Sequence, residues 1–148
     1  MNRFKINWDL IKKNPKPIIG YSDITALANA IYTKTGMITY SGPSFITLGV
    51  NNQNMYTFDY FKKCLIQKSS FFISPSKYWG DRHGKKYKNI GFQVIQKGSA
   101  LGTIVGGNLN TLNLLQGTEY MPDLKNKILL IEEDSYAAEF TPLEFERN

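Results

Sequence analysis

A short apolar run that breaks directly into an amphipathic helix constrains this chain more than any other feature. Ile18-Ile19-Gly20-Tyr21 has the length and composition of a buried strand. After Asp23 the period changes, and Ile24, Leu27, Ala28, Ile31 and Tyr32 fall on one helical face. Gly36 is placed to end that helix in a left-handed turn. Met37-Ile38-Thr39-Tyr40 then resumes a strand pattern, closed by Ser41-Gly42-Pro43. Strand, tight turn, helix and strand form the building unit of a parallel sheet, so the predicted fold class is α/β.

The rest of the chain is read around that unit. Residues 6–13 predict a short helix or turn, stopped by Asn14-Pro15. Asn51 to Asn54 is a polar loop, and Tyr56 to Ile66 predicts a helix. Ser74 to Asn89 combines Pro, Gly and many charges, the composition of a long exposed loop. Gly91–Ile95 and Leu101–Val105 predict strands, Gly106-Gly107 a turn, and Asn108 the cap of a helix carrying Leu109, Leu112 and Leu115. Lys127 to Ile131 predicts a last strand running into Glu132-Glu133-Asp134.

Composition removes several function classes. The chain has 148 residues, enough for one ordinary domain or parts of two. Its 42% hydrophobic and 20% charged residues exclude a disordered chain. No apolar run approaches the roughly 20 residues of a membrane span. No secretory leader is visible after Met1, and the single cysteine, Cys64, excludes an internal disulfide and a multi-cysteine zinc site. A cytoplasmic location is expected, with no membrane partner, metal or cofactor. Charge is uneven: nine Lys/Arg stand against one acid between Lys62 and Lys97, whereas eight acids stand against three bases from Glu119 onward. Tyr78, Trp79 and Tyr87 lie within the basic stretch, but no nucleic-acid motif accompanies them, so nucleic acid is not the expected partner.

Gly20-Tyr21-Ser22-Asp23 carries the sharpest chemical signal. A nucleophile elbow needs a serine where a strand turns tightly into a helix, with small residues nearby. The N–H of the following residue, here Asp23, then lies at the helix N-terminus and is able to donate to an oxyanion. The competing structural role is simple capping of the helix by Ser22 or Asp23.

Longer blocks carry a resemblance. Gly20 to Leu27, Gly36 to Pro43, Gly102 to Leu109 with its continuation through Leu124, and Ile128 to Asp134 resemble, in order, segments of the S66 peptidases. This is the family of LD-carboxypeptidases and microcin C immunity proteins, and the wording is nearest the immunity-like branch. The resemblance implies that Ser22 is the nucleophile and that the Asp23 N–H contributes to the oxyanion hole. It also implies that Glu132 is the acid orienting a general-base histidine, with Glu133 as the competing position.

The family's histidine lies well downstream of the acid, and none follows Glu132 here. His83, ahead of the acid, is read as a surface loop residue. The family's upstream strands likewise have no counterpart before Ile6, so the chain is expected to be truncated at both ends.

The implied layout is the end of an S66 N-terminal, parallel-sheet domain over 1–45, a connecting and insertion region over 46–98, and the start of a C-terminal domain over 99–148. The implied reaction is amide hydrolysis next to a free carboxylate. Its substrate is either a murein tetrapeptide or a peptidyl-nucleotide antibiotic, with Trp79 as the candidate residue stacking on the nucleotide. A chain supplying the missing parts is a candidate partner, and homodimers are common in the family. The alternative function is a catalytically inactive, binding-only piece of the same fold.

Overall fold

The computed structural model describes residues 5–49, 55–80 and 85–133. In chain order its elements are α1 (Trp8–Lys13), β1 (Ile19–Gly20), α2 (Ile24–Thr35), β2 (Tyr40–Ser41), α3 (Phe45–Gly49), α4 (Met55–Ile66), β3 (Tyr78–Gly80), β4 (Lys86–Lys88), β5 (Thr103–Asn108), α5 (Leu109–Asn113) and β6 (Lys127–Glu132). They divide into two units, residues 1–44 with 101–148, and residues 45–100.

The first unit is built around α2. Gly36 ends this helix at φ 72° with its N–H on the Tyr32 carbonyl, as the sequence predicts. The Thr35 hydroxyl then accepts the Met37 N–H at 3.1 Å, so the chain leaves the helix before it can pair. β1 and β2 run parallel, with Ile19 opposite Tyr40 and Gly20 opposite Ser41. Ladder bonds continue from Tyr40 N–H to Ile18 O (2.9 Å) and from Gly42 N–H to Gly20 O (3.0 Å). Pairing therefore begins at Tyr40, three residues beyond the predicted start at Met37, and Ser41-Gly42, read as a terminator, belongs to the ladder.

The second pair in this unit, β5 and β6, is also parallel and runs in register from Thr103 opposite Lys127 to Asn108 opposite Glu132. The sequence places a turn at Gly106-Gly107, but both glycines lie inside β5. Their φ angles of 126° and 131° belong to a region that L side chains rarely adopt. A Cβ on Gly106 would collide with the Leu130 carbonyl, and one on Gly107 would sit 2.5 Å from the Thr25 hydroxyl oxygen. The pair is thus required for close approach on both sides of a strand.

The core of the unit comprises Ala30, Ile31, Val105, Leu109, Leu112 and Leu115. Helix α2 packs on β1, β5, α1 and α5. Its buried face differs from the predicted one. Ile24 and Leu27 stay substantially exposed, whereas Thr25 and Asn29 are buried. These two polar residues go inward because β5 offers them hydrogen-bond partners, and a satisfied polar group can be buried cheaply. Asn7 caps α1 by accepting the Leu10 N–H at 2.9 Å. Trp8 of α1 meets Tyr120 at 5.9 Å between ring centroids. Lys34 lies over the same Tyr120 ring and forms an ion pair with Glu119.

In the second unit α4 occupies the predicted span. Tyr56 and Tyr60 meet on this helix with ring centroids 4.7 Å apart and planes tilted by 51°. The Tyr56 hydroxyl donates to the Ser74 carbonyl, and the Tyr60 hydroxyl accepts the Ser74 N–H at 2.7 Å. Burial, with Tyr60 alongside, pushes the Tyr56 phenol above its ordinary value. The stretch 74–89, read as an exposed loop, contains an antiparallel hairpin of β3 and β4. Gly91–Ile95, read as a strand, forms none. Val94 is largely exposed and Ile95 fully so, and no described strand pairs with the run. Among the described residues no helix is long and apolar enough to cross a membrane.

Candidate functional site

Ser22 sits on the two-residue connection between the end of β1 and Asp23, the N-cap residue of α2. Its backbone is left-handed, φ 61°, a conformation that costs a non-glycine residue roughly 1–2 kcal/mol. The crowding that enforces the turn comes from Gly20, where a Cβ would lie 2.7 Å from the Ile24 side chain. The first donors of the helix are the Ile24 N–H to Tyr21 O (3.4 Å) and the Thr25 N–H to Ser22 O (2.9 Å). The Asp23 N–H precedes them, among the helix-start donors that have no acceptor in the ladder. Capping does not account for either residue. Asp23 occupies the cap position without a side-chain cap bond, and Ser22 makes no side-chain hydrogen bond to the described residues. Both are exposed.

One helical turn on, Thr25 links this connection to the strand pair. Its buried hydroxyl accepts the Asn108 N–H at 3.0 Å. Asn29, the next residue on that face, donates to the Gly106 carbonyl at 2.8 Å and accepts the Gly106 N–H at 3.3 Å. These two hydrogen bonds satisfy the Gly106 backbone where, among the described residues, no further strand pairs with β5.

Asn108 is the hub of the site. Its Oδ1 accepts from the Thr111 N–H (3.0 Å) and the Thr111 hydroxyl (2.9 Å), which caps α5 as the sequence predicts. Its Nδ2 donates to Glu133 Oε1 at 3.3 Å, while Asn110 Nδ2 donates to Glu133 Oε2 at 2.9 Å. Glu132 ends β6 directly opposite Asn108, is exposed, and makes no side-chain hydrogen bond to the described residues. The adjacent carboxylates thus have different surroundings, Glu133 held by two amides and Glu132 open.

Ser22, Asp23 and Glu132 all belong to the first unit. Trp79 belongs to the second, where it is 51% exposed and stacked on Tyr87. His83 lies outside the described residues. Sequence reading did not find Thr25, Asn29 or Asn110 as parts of the arrangement. The available signal was the Gly-Gly pair, since a strand without side chains must be approached by something polar.

A parallel α/β unit that bends through a left-handed serine and closes on a Gly-Gly-Asn strand places the chain among α/β proteins with a site at a strand–helix junction. The chain belongs to peptidase family S66. The family's LD-carboxypeptidase N-terminal domain matches residues 4–42 and its LD-carboxypeptidase C-terminal domain matches residues 101–147. YocD of Bacillus subtilis is 50% identical over 136 residues, which cover 87% of this chain and 42% of that protein. The microcin C7 self-immunity protein MccF of Escherichia coli is 39% identical over 146 residues, covering 88% of this chain and 42% of that one. Among solved structures, an MccF-like protein from Bacillus anthracis superposes with a TM-score of 0.90 at 50% identity, over 96% of this chain and 45% of that one. MccF in complex with aspartyl sulfamoyl adenosine superposes with a TM-score of 0.74 at 37% identity, over 85% of this chain and 42% of that one. A mutant of MccF has been solved with adenosine monophosphate. The chain therefore spans less than half the length of the proteins it matches.

Proposed function

We propose that this chain carries the nucleophile and the triad acid of a cytoplasmic serine carboxypeptidase. The observation that carries the reading is the left-handed Ser22 between β1 and α2, with the unpaired Asp23 N–H beside it at the helix start. In this reading the Ser22 hydroxyl attacks the carbonyl of an amide next to a free carboxylate, and the Asp23 N–H stabilises the oxyanion. A serine hydroxyl needs an adjacent base. That base is a histidine supplied outside this chain's described residues, and Glu132 orients it and stabilises its imidazolium. Glu132 suits that role because its carboxylate is open at a strand end, while Glu133 is committed to Asn108 and Asn110.

The layout proposed is residues 1–45 as part of the N-terminal S66 domain, 46–98 as connection and insertion, and 99–148 as part of the C-terminal domain. The substrate class proposed is a peptidyl-nucleotide, supported by the adenylate-type ligands of MccF, with Trp79 stacking on the base. A murein LD-peptide is the other family substrate.

The test joins this chain to the remaining N- and C-terminal segments of YocD and measures hydrolysis of aspartyl-adenylate analogues and murein tetrapeptide. Turnover abolished by Ser22→Ala is the expected result. A folded fusion with no turnover on either substrate, but with retained ligand binding, replaces the enzyme by the binding-only form of the fold.

A further inference from the structure

The β3–β4 hairpin places two aromatic rings on one another. Trp79 and Tyr87 are direct cross-strand partners, so their side chains leave the same face of the ribbon. Their ring centroids are 4.6 Å apart and their planes differ by 22°, a near-parallel stack. The strands are drawn close at this level by Gly80, where a Cβ would meet the Lys85 carbonyl at 3.1 Å. The base of the hairpin is fastened by the Asn89 N–H to Lys77 O (3.0 Å), by Ser76 Oγ to Tyr78 O (2.8 Å) and by Asn89 Nδ2 to Ser76 Oγ (3.2 Å). Lys85 Nζ lies 5.2 Å from the Tyr87 centroid, and Lys86 and Lys88 flank Tyr87 in the strand.

We infer that Tyr87 is a positioning residue that backs the Trp79 indole and holds it as a flat platform for one purine base of a nucleoside monophosphate. The inference rests on the peptidyl-nucleotide reading of Trp79 above. The stack covers one side of the indole, and the 51% of Trp79 left exposed supplies the surface for a third layer. A lone tryptophan on a hairpin must lose side-chain freedom when a base stacks on it. A tryptophan already held by a second ring loses less, and the difference appears as affinity. The three lysines supply positive charge for the phosphate, independent of which base is present.

The experiment titrates adenosine monophosphate and ribose 5-phosphate into the chain by isothermal calorimetry, which reads binding whether or not Trp79 is present. Trp79→Ala and Tyr87→Ala are the ablations, and Tyr87→Phe is the conservative control. Tyr87→Ala is expected to weaken adenosine monophosphate by about twofold to tenfold, the range of an aromatic pair. Ribose 5-phosphate should be unaffected, and Tyr87→Phe should restore the base-dependent part. Equal affinity for adenosine monophosphate with and without the Tyr87 ring overturns the inference. So does a Tyr87→Ala variant that loses both ligands alike, because a general loss of the hairpin would do that. A chain that binds adenosine monophosphate no better than ribose 5-phosphate also overturns it. That last failure leaves the carboxypeptidase reading standing, since hydrolysis of murein tetrapeptide by the fusion needs no base platform.

Discussion

The Asn108 backbone N–H donates to the Thr25 hydroxyl at 3.0 Å across 83 residues of sequence. Thr25 is one turn from Ser22, and Asn108 stands opposite Glu132, so this bond joins the strand–helix connection of one segment to the acidic strand end of the other. Both partners are buried, and an unpaired buried N–H costs about 1–3 kcal/mol. Thr25→Val keeps the shape and removes the acceptor. It should destabilise the chain by an amount in that range, whereas Thr25→Ser should recover most of it. Denaturant melts of the three chains check this, and equal midpoints for Thr25→Val and the parent would sink it.

The two glycines of β5 should be intolerant of any side chain. Gly107→Ala adds a Cβ 2.5 Å from the Thr25 hydroxyl at φ 131°, and Gly106→Ala adds one against the rigid backbone carbonyl of Leu130. Backbone cannot turn aside as a side chain can, so Gly106→Ala is expected to be the worse of the two. Each should lose several degrees or more of melting temperature, about the effect of 1–3 kcal/mol in a domain of this size.

In the fusion with the YocD segments, the residues proposed for the triad should act as a unit. Ser22→Ala and Glu132→Gln should each lower kcat by about 10⁴-fold or more, and the double variant should be little worse than the poorer single. Glu133→Gln should leave kcat within an order of magnitude, because an amide oxygen still accepts from Asn108 or Asn110. His83→Ala should be silent. If Glu133 proved essential and Glu132 dispensable, the acid assignment would move by one residue.

The Lys34–Glu119 pair predicts an acid-side effect only. Hydrogen bonding and charge from Lys34 hold the Glu119 carboxyl below its ordinary 4.5. A lowered folded-state value means the contribution is present above 4.5 and disappears as pH falls through the folded value. The carboxylate is exposed, so the effect is small and screened by salt. The melting temperatures of the parent and Glu119→Gln should differ slightly at pH 7 in low salt, and the difference should shrink as pH falls below 4.5.

Exposed apolar surface on the second strand pair predicts association. Ile104, Leu129, Leu130 and Ile131 all remain open, although a parallel pair is ordinarily covered on both faces. The chain by itself should run larger than a monomer in sedimentation. Charged substitution at Leu130 or Ile131 should reduce that association, and a monodisperse parent chain would contradict it.

The strand–serine–helix connection was legible because period and punctuation change within four residues. Gly36 and Asn108 were legible because each terminates a helix by its own backbone or side chain. Other features depend on a partner far along the chain. Gly106-Gly107 reads as a turn in sequence because glycine permits both a turn and a close approach, and only Leu130 and Thr25 decide between them. Thr25 and Asn29 lie off the apolar face that the periodicity marks, and only their hydrogen bonds to β5 draw them inward. The hairpin at 78–80 and 86–88 was hidden by its lysines, which mask the alternation of an exposed ribbon. Ser22 stood out by its place in the strand–helix turn and Glu132 by the family resemblance alone, whereas the two amides on Glu133 come from residues 25 and 23 positions away, which no local pattern shows.

The left-handed backbone at Ser22 also sets what chance and selection will do at that position. Glycine adopts φ 61° without the penalty that serine bears. Ser22→Gly should therefore be thermally neutral or stabilising while removing the hydroxyl on which the proposed chemistry depends. A screen for heat-resistant variants would discard the serine, and a screen for hydrolysis would retain it. If the proposed hydrolysis is what keeps the serine, a lineage relieved of that need would lose the hydroxyl early, because no side-chain hydrogen bond to the described residues holds it. In a set of related chains, the residue at this one position would therefore separate those still under pressure to react from those kept only for their shape.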